Sequence, residues 1–130
     1  SIKLRHLEAW NTQRQQLAAI YLEQLASIPD LVLPPIPSDA HPVWHAFVVQ
    51  TTQRDALQQH LAQQGIETLI HYPLAPHQQK AYAQSPVASL QLPQAKRLAR
   101  QVLSLPIDPM LAPDAVQHIC THIQNFFQAA

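Results

Sequence analysis

Glycine is almost absent from this sequence: Gly65 is the single glycine among 130 residues, whereas an average protein has roughly 7%. A loop that cradles phosphate with its backbone N–H groups needs several closely spaced glycines, so the sequence excludes a P-loop and a Rossmann dinucleotide site. Cysteine is equally scarce. Cys120 alone excludes an internal disulfide framework and favours a reducing compartment.

Net charge and long apolar runs are also missing. Eight basic and eight acidic residues cancel, unlike the basic surface of a nucleic-acid-binding protein or a polybasic membrane anchor. No apolar run approaches the roughly 20 residues that cross a bilayer, and no signal peptide opens the sequence. Since 47% of the residues are apolar, we expect one small, soluble, cytoplasmic domain that binds neither nucleic acid nor membrane.

The first third of the sequence predicts a long helix and a stiff connector. Apolar periodicity predicts a helix over residues 1–28, and Pro29 then ends it. Position 4 holds Leu4 where a capping box has Glu or Gln, so the chain is expected to begin inside a longer helix. Residues 43–50 form a predicted strand, apolar on both faces and therefore covered on both. The connector between them is extended and contains Pro34, Pro35, Pro37 and Pro42.

The rest of the sequence alternates helices with short extended segments. A helix is predicted from Thr51 or Thr52 to Gly65, which follows its end. Its buried stripe is Ala56, Leu57 and Leu61. Further predictions are a strand over 66–72, a helical turn in 77–83, a loop over 85–93, a helix over 93–103 and an extended segment over 103–107. A last helix is predicted from 113, with the apolar face Val116, Ile119, Cys120, Ile123 and Phe127. This order predicts an α+β domain whose few-stranded sheet is covered by helices.

Several reactive residue types have a simpler, structural interpretation. His118 and His122 share a helix face, as metal ligands often do, but Cys120 falls on the opposite, apolar side. A thiol that faces the core is also a poor nucleophile. A proline between His41 and His45 disturbs their strand register. We therefore predict no metal site.

Lysine is scarce, with Lys3, Lys80 and Lys96 in the whole sequence. All three fall on predicted helices among polar neighbours, where a solvated surface role is usual. A lysine that forms a Schiff base needs an apolar pocket or a cofactor that orients it. No catalytic residue is predicted in this sequence.

The predicted strand over 66–72 ends in an unusual cluster of rings, with His71 and Tyr72 followed by His77 between prolines. Prolines restrict the backbone and hold neighbouring rings in place. Imidazole and phenol groups donate hydrogen bonds to phosphate or sugar oxygens without adding a fixed charge at neutral pH. A turn in which His71 and Tyr72 satisfy nearby backbone carbonyls explains the same residues, and both interpretations stay open on the residues alone.

Two stretches, "RDALQQHLAQQGIETLIHYPLAPHQQKAY" and "LPQAKRLARQVLSLPIDPML", resemble the C-terminal domain of DegT-type nucleotide-sugar aminotransferases. These are pyridoxal-phosphate enzymes with the aspartate-aminotransferase fold. "VWHAFVV" and "LRHLEAWNTQRQQLAAIYLEQL" fit the same family, so the resemblance covers nearly the whole chain. "TLIHYP" with "PHQQKAY" looks most like the branch that aminates dTDP-linked 3-keto-6-deoxy sugars.

The resemblance implies a division of the chain and a role for its rings. Residues 1–28 would be a linker helix that leaves a large N-terminal domain absent from this sequence, and residues 29–130 the small domain that closes over the substrate. His71 and Tyr72 would reach over the bound nucleotide sugar, and His77 would have a structural or site-lining role.

The resemblance also implies partners that the sequence alone does not name. The intact enzyme would be a homodimer that uses pyridoxal 5'-phosphate, a nucleotide-diphosphate keto sugar and an amino donor such as glutamate. Its cofactor-binding residues would lie in the absent domain, so this chain alone is expected to bind no cofactor and to be inactive. Gln50 stands where family members often carry arginine, which puts any contact by that arginine in doubt.

Two other functions remain as alternatives. One is a stand-alone binding or dimerisation module of the same fold without catalysis, since the first and last helices both suit assembly. The other is a histidine-rich metal-binding protein, because eight histidines are many for a chain of this length.

Overall fold

Four α-helices and a two-stranded antiparallel sheet form the described part of the computed structural model, residues 2–129. The predicted α+β class is confirmed. The helices are α1 (Leu7–Leu25), α2 (Arg54–Gln63), α3 (Pro93–Gln101) and α4 (Pro113–Gln128), and the strands are β1 (Phe47–Gln50) and β2 (Val102–Leu105). Short 3₁₀ turns lie at Lys3–His6, Pro76–Gln78, Lys80–Tyr82 and Pro86–Ser89.

Two single-residue pairings widen the sheet beyond its two strands. β1 and β2 run antiparallel, with Phe47 opposite Leu105. On the outer edge of β1, Val32 exchanges two backbone hydrogen bonds with Gln50, and on the outer edge of β2, Leu69 does the same with Ser104. The segments before β1 and after α2 are thereby fixed to the sheet.

The predicted strand over 66–72 is wrong, because only Leu69 pairs. The Ile66 N–H group instead donates to Leu61 O at the end of α2 (2.9 Å), and Pro73 has no N–H group to continue a ladder. Strand β1 is also shorter than predicted. It begins at Phe47 because Trp44 has φ +52°, outside the range of a strand.

The core lies between one face of the sheet and helices α1, α2 and α4. Tyr21 on α1 is fully buried. Its ring packs against Phe47 with the ring centroids 4.8 Å apart, and its hydroxyl donates to Pro106 O at 2.8 Å. Burial raises the Tyr21 pKa. The fully buried side chains around it include Leu25, Phe47, Val49, Leu57, Leu61, Leu103, Val116, Cys120 and Ile123.

Helix α1 belongs to this core through its second half alone. Its buried side chains begin at Leu17. Ile2 lies just before the 3₁₀ turn that precedes α1 and is 79% exposed, and Leu4 lies within that turn and is 65% exposed. The helix ends at Leu25, and one turn then carries the chain to Pro29. The division into residues 1–28 and 29–130 stays a prediction, although half of this helix is packed against α4.

The ends of α2 and α3 show how local sequence sets the turns. Gly65 follows α2 with φ +74° and donates to Ala62 O at 3.0 Å, as predicted. In the predicted stripe of α2, Leu57 and Leu61 are buried, but Ala56 is exposed. Helix α3 ends two residues earlier than predicted, because the chain turns directly into β2 at Val102.

Arg54 joins α2 to the junction between α3 and β2. Its guanidinium is largely buried and donates to Ala99 O at 3.4 Å and Val102 O at 3.3 Å. The Ala99 carbonyl lies in the last turn of α3, where helical oxygens lack intrahelical partners, and the Val102 carbonyl lies at the start of β2. None of the described helices has both the length and the apolar character that crossing a membrane requires.

Gly65→Ala is expected to destabilise the fold by about 1 kcal/mol, because an alanine at this positive φ is strained. A Cβ at this position has no atom within 4 Å, so steric overlap adds nothing. Gly65→Asn is the matched control and should lose less unfolding free energy than Gly65→Ala, because asparagine tolerates the left-handed region. Urea denaturation measures both; equal stability of Gly65→Ala and wild type would contradict the assignment.

Tyr21→Phe is expected to cost about 1–2 kcal/mol of unfolding free energy, because it removes the donor to the Pro106 carbonyl and keeps the ring. Tyr82→Phe is the matched control, since Tyr82 is 44% exposed and its hydroxyl makes no hydrogen bond within residues 2–129. Thermal or urea unfolding compares the two variants. Equal losses of unfolding free energy in the two variants would show that the Tyr21 hydroxyl does not anchor α1.

Candidate functional site

His71 and Tyr72 lie beside β2, as neighbours on the segment that Leu69 fixes to the sheet. Nδ1 of His71 lies 2.9 Å from Oγ of Ser104, which is buried on β2. The His71 and Tyr72 rings meet edge to face with centroids 5.6 Å apart, and the peptide bond between them is cis. Tyr72 is 67% exposed. Neither side chain bonds to a backbone carbonyl of residues 2–129, so the simple-turn interpretation does not describe this geometry.

Two cavities meet at His71. The first, which we call the Tyr72 groove, has a volume of about 280 Å³ and lies between the Tyr72 segment and α3, where Leu98 and Ala99 form its other wall. The second, the His45 cavity, has about 160 Å³ and brings His71 together with His45, Glu67 and Ser104. The first is mainly apolar, and the second carries several polar groups. His71 is the polar side chain that lines both.

His77 is separated from the other two predicted site residues. It is 4% exposed, lies on a turn that packs against Pro86–Ser89, and lines neither the Tyr72 groove nor the His45 cavity. Both of its ring nitrogens are buried without a hydrogen-bond partner among residues 2–129. Of the two roles predicted for it, this position favours the structural one.

Sequence reasoning missed three residues that the fold brings to His71. The sequence did point to Ser104, because a serine within the apolar run "VLSL" needs a hydrogen-bond partner once it is buried. The sequence suggested His45 as a metal ligand alone, and Glu67 falls within the predicted strand over 66–72. A larger cavity of about 730 Å³ lies between the segment that follows α2, the β2–α4 connection and α4, and it shares Glu67, Leu69, Pro106 and Ile107 with the His45 cavity.

Gln50 lies away from these cavities. Its side chain lines a separate cavity of about 250 Å³ that it shares with Arg97 on α3. His71 lies on the other edge of the sheet, beside β2. Gln50 therefore lies on a different surface from the one that His71 lines.

Cys120 and the histidines of α2 and α4 occupy two different environments. Cys120 is fully buried, and burial raises the pKa of its thiol to about 12, so it is not a reactive thiolate at neutral pH. The rings of His118 and His122 lie 4.4 Å apart, and that of His60 lies 6.2 Å from His122. Within residues 2–129 no three His, Cys, Asp or Glu side chains are placed to hold a metal ion.

The chain belongs to the DegT/DnrJ/EryC1/StrS aminotransferase family, which it matches over residues 1–124. It is 49% identical over 119 residues to the dTDP-3-amino-3,4,6-trideoxy-alpha-D-glucose transaminase of Streptomyces venezuelae, covering 91% of this chain and 31% of that protein. It is 40% identical over 126 residues to the dTDP-3-amino-3,6-dideoxy-alpha-D-galactopyranose transaminase of Aneurinibacillus thermoaerophilus, covering 97% and 34%.

A solved structure agrees with this assignment. The crystal structure of S. venezuelae DesV in complex with a ketimine intermediate superposes with a TM-score of 0.93 at 43% identity, covering 98% of this chain and 34% of that one. The family resemblance is confirmed. The chain spans about a third of the length of the relatives it matches and corresponds to a C-terminal fragment of such enzymes.

The described residues do not fit the pyridoxal phosphate on which this family depends. That cofactor needs a lysine for its Schiff base and a cradle for its phosphate. Lys3 and Lys80 are exposed and Lys96 is half-buried, and neither the Tyr72 groove nor the His45 cavity contains a lysine. The family's cofactor chemistry is therefore not assigned to any residue of this chain.

The cluster formed by His60, His118 and His122 is expected to make the stability of the fold sensitive to acid. The pKa of His122 lies below its usual value, mainly because the ring is desolvated and secondly because His118 and His60 are close to it. An unfolded histidine, with a pKa of roughly 6.5, then binds its proton at higher pH than the folded one. The stability that His122 contributes is therefore complete above that pH and falls as the pH drops through it.

His122→Gln should thus reduce the loss of stability between about pH 7.5 and pH 5.5, on either side of the ordinary histidine pKa. The urea midpoint at both pH values measures this loss for each variant. His41→Gln, at an exposed position outside the cluster, is the control and should behave as wild type. An unchanged pH dependence in His122→Gln would show that the pKa of His122 is not lowered in the folded chain.

Proposed function

We propose that this chain is the substrate-closing small domain of an aminotransferase that transfers an amino group to the keto carbon of a nucleotide-linked deoxyhexose. One observation carries the proposal: His71, held by a buried serine, lines two adjoining cavities next to an exposed Tyr72. Ligand sites usually lie where domains meet. The two relatives named above act on dTDP-linked 3-amino sugars, which favours a dTDP-linked 3-keto sugar as the substrate.

The chain's own residues would bind and orient the substrate. His71 and Tyr72 offer an imidazole and a phenol, which contact sugar or phosphate oxygens without bringing a charge. The apolar wall that Leu98 and Ala99 form on the Tyr72 groove suits the deoxy carbons of the sugar and excludes water. His77 would hold the segment after Tyr72 in place from the interior.

The remaining components belong to the rest of the proposed enzyme. Pyridoxal 5'-phosphate would supply the electron sink for amino transfer, and a large N-terminal domain would hold it through a lysine. An amino donor such as glutamate would supply the nitrogen, and two copies would form a homodimer. This chain, which lacks a fitting cofactor site among residues 2–129, would be inactive by itself.

A second function, a stand-alone binding or dimerisation module, is favoured by one surface. The residues at the start of α1 and before it include the exposed apolar side chains Ile2, Leu4 and Leu7, which suit a helix-to-helix contact between two copies. The complete gene distinguishes the two functions. A product without a lysine-bearing cofactor domain leaves the binding module, whereas a product that absorbs as a pyridoxal enzyme supports the transaminase.

In the product of the complete gene, His71→Asn is expected to lower kcat/KM for a dTDP-linked 3-keto-6-deoxyhexose by about 10- to 100-fold, the cost of one or two hydrogen bonds to the substrate. The measurement is steady-state transamination with glutamate as donor. His41→Asn, at an exposed position outside both cavities, should retain full activity. Full activity of His71→Asn would remove His71 from the substrate site.

A further inference from the structure

Ser104 is a buried polar residue whose every hydrogen-bonding group has a partner on one segment. Its N–H donates to Leu69 O at 2.8 Å, its carbonyl accepts from Leu69 N–H at 3.2 Å, and its hydroxyl contacts Nδ1 of His71 at 2.9 Å. Residues 69 and 71 point to the same side of an extended chain. The backbone pairing at Leu69 therefore places the His71 ring over the serine hydroxyl.

The hydroxyl proton of Ser104 determines which nitrogen of His71 carries the ring proton. Among residues 2–129, Oγ has no hydrogen-bond partner other than Nδ1 of His71, and Ser104 is 6% exposed. If Nδ1 carried the ring proton and donated a hydrogen bond to Oγ, the hydroxyl proton of Ser104 would have no acceptor among residues 2–129. A buried donor that lacks a partner destabilises the fold. The neutral imidazole therefore accepts at Nδ1 and carries its proton on Nε2.

We propose that Ser104 is a positioning residue that holds His71 in the Nε2–H tautomer, so that His71 presents a hydrogen-bond donor to the two cavities. The group that His71 recognises there is then an oxygen acceptor, and not a group that must give up a proton to it. This assignment deepens the proposed function, on which its last step rests: in the enzyme, the acceptor is a hydroxyl, keto or phosphate oxygen of the nucleotide sugar.

The tautomer is read directly from imidazole nitrogen shifts. Two-bond ¹H–¹⁵N correlation spectra of the ¹⁵N-labelled chain, recorded at about pH 8, where an ordinary histidine is neutral, report the protonated nitrogen of each ring. We expect His71 to show a protonated Nε2 and an unprotonated Nδ1. A spectrum with the proton on Nδ1 would overturn the proposal without any variant.

Two serine variants test whether Ser104 fixes this state. Ser104→Ala removes the hydroxyl, so the two ¹⁵N shifts of His71 should move towards each other as the tautomers mix, while Ser104→Thr keeps a hydroxyl and should retain the wild-type pattern. Ser89→Ala is the matched control, because Ser89 Oγ donates to Pro86 O on an exposed turn. An unchanged His71 spectrum in a folded Ser104→Ala chain would also overturn the proposal.

The outcome does not depend on the proposed function. If Ser104→Ala fails to fold, as circular dichroism would show, the wild-type spectrum and the threonine variant still decide the assignment. In the full enzyme, Ser104→Ala should lower kcat/KM by about 3- to 10-fold, the value of one neutral hydrogen bond, and Ser104→Thr should restore it. An inactive gene product would refute the proposed function and leave the tautomer result standing.

Discussion

The pairing between Leu69 and Ser104 is the interaction on which the candidate site depends. It is a single bridge, yet its two backbone hydrogen bonds, together with the side-chain contact from Ser104 to His71, fix the segment after α2 to the sheet. Without it, His71 and Tyr72 would belong to an exposed, proline-rich loop. With it, they stand against a buried strand. Both cavities are lined by residues of that strand and of this segment, and α3 lines the Tyr72 groove.

A second constraint is how the core is built. One strand face and three helices meet around Tyr21, which ties the second half of α1 to β1 through its ring and to the β2–α4 connection through its hydroxyl. The first half of α1 adds no buried side chain to this core, although Gln15 donates to Pro42 O at 3.2 Å. The core thus begins in the second half of α1, while the exposed apolar side chains at and before the start of α1 and the two cavities beside His71 are accessible to other groups.

The sequence predicted helices better than strands, for physical reasons. The periodicity of α2 and α4 reflects burial along one helix face, so Leu57 and Leu61 were identified correctly, as was the turn at Gly65. The strand over 66–72 failed because the Ile66 N–H group bonds to the end of α2 and the last residues of the segment precede Pro73. His71 and Tyr72 were found through their clustering with prolines. Their relation to Ser104 was out of reach, because a contact across 33 positions leaves no periodic trace.

The most direct test of the central claim is a crystal structure of the full-length enzyme with a bound dTDP-linked sugar. The decisive quantity is the distance from Nε2 of His71 to the nearest ligand oxygen. Our account predicts about 2.7–3.2 Å, the range of an N–H donor to an oxygen acceptor. A sugar nucleotide bound elsewhere, with no oxygen within about 3.5 Å of Nε2, would contradict the account.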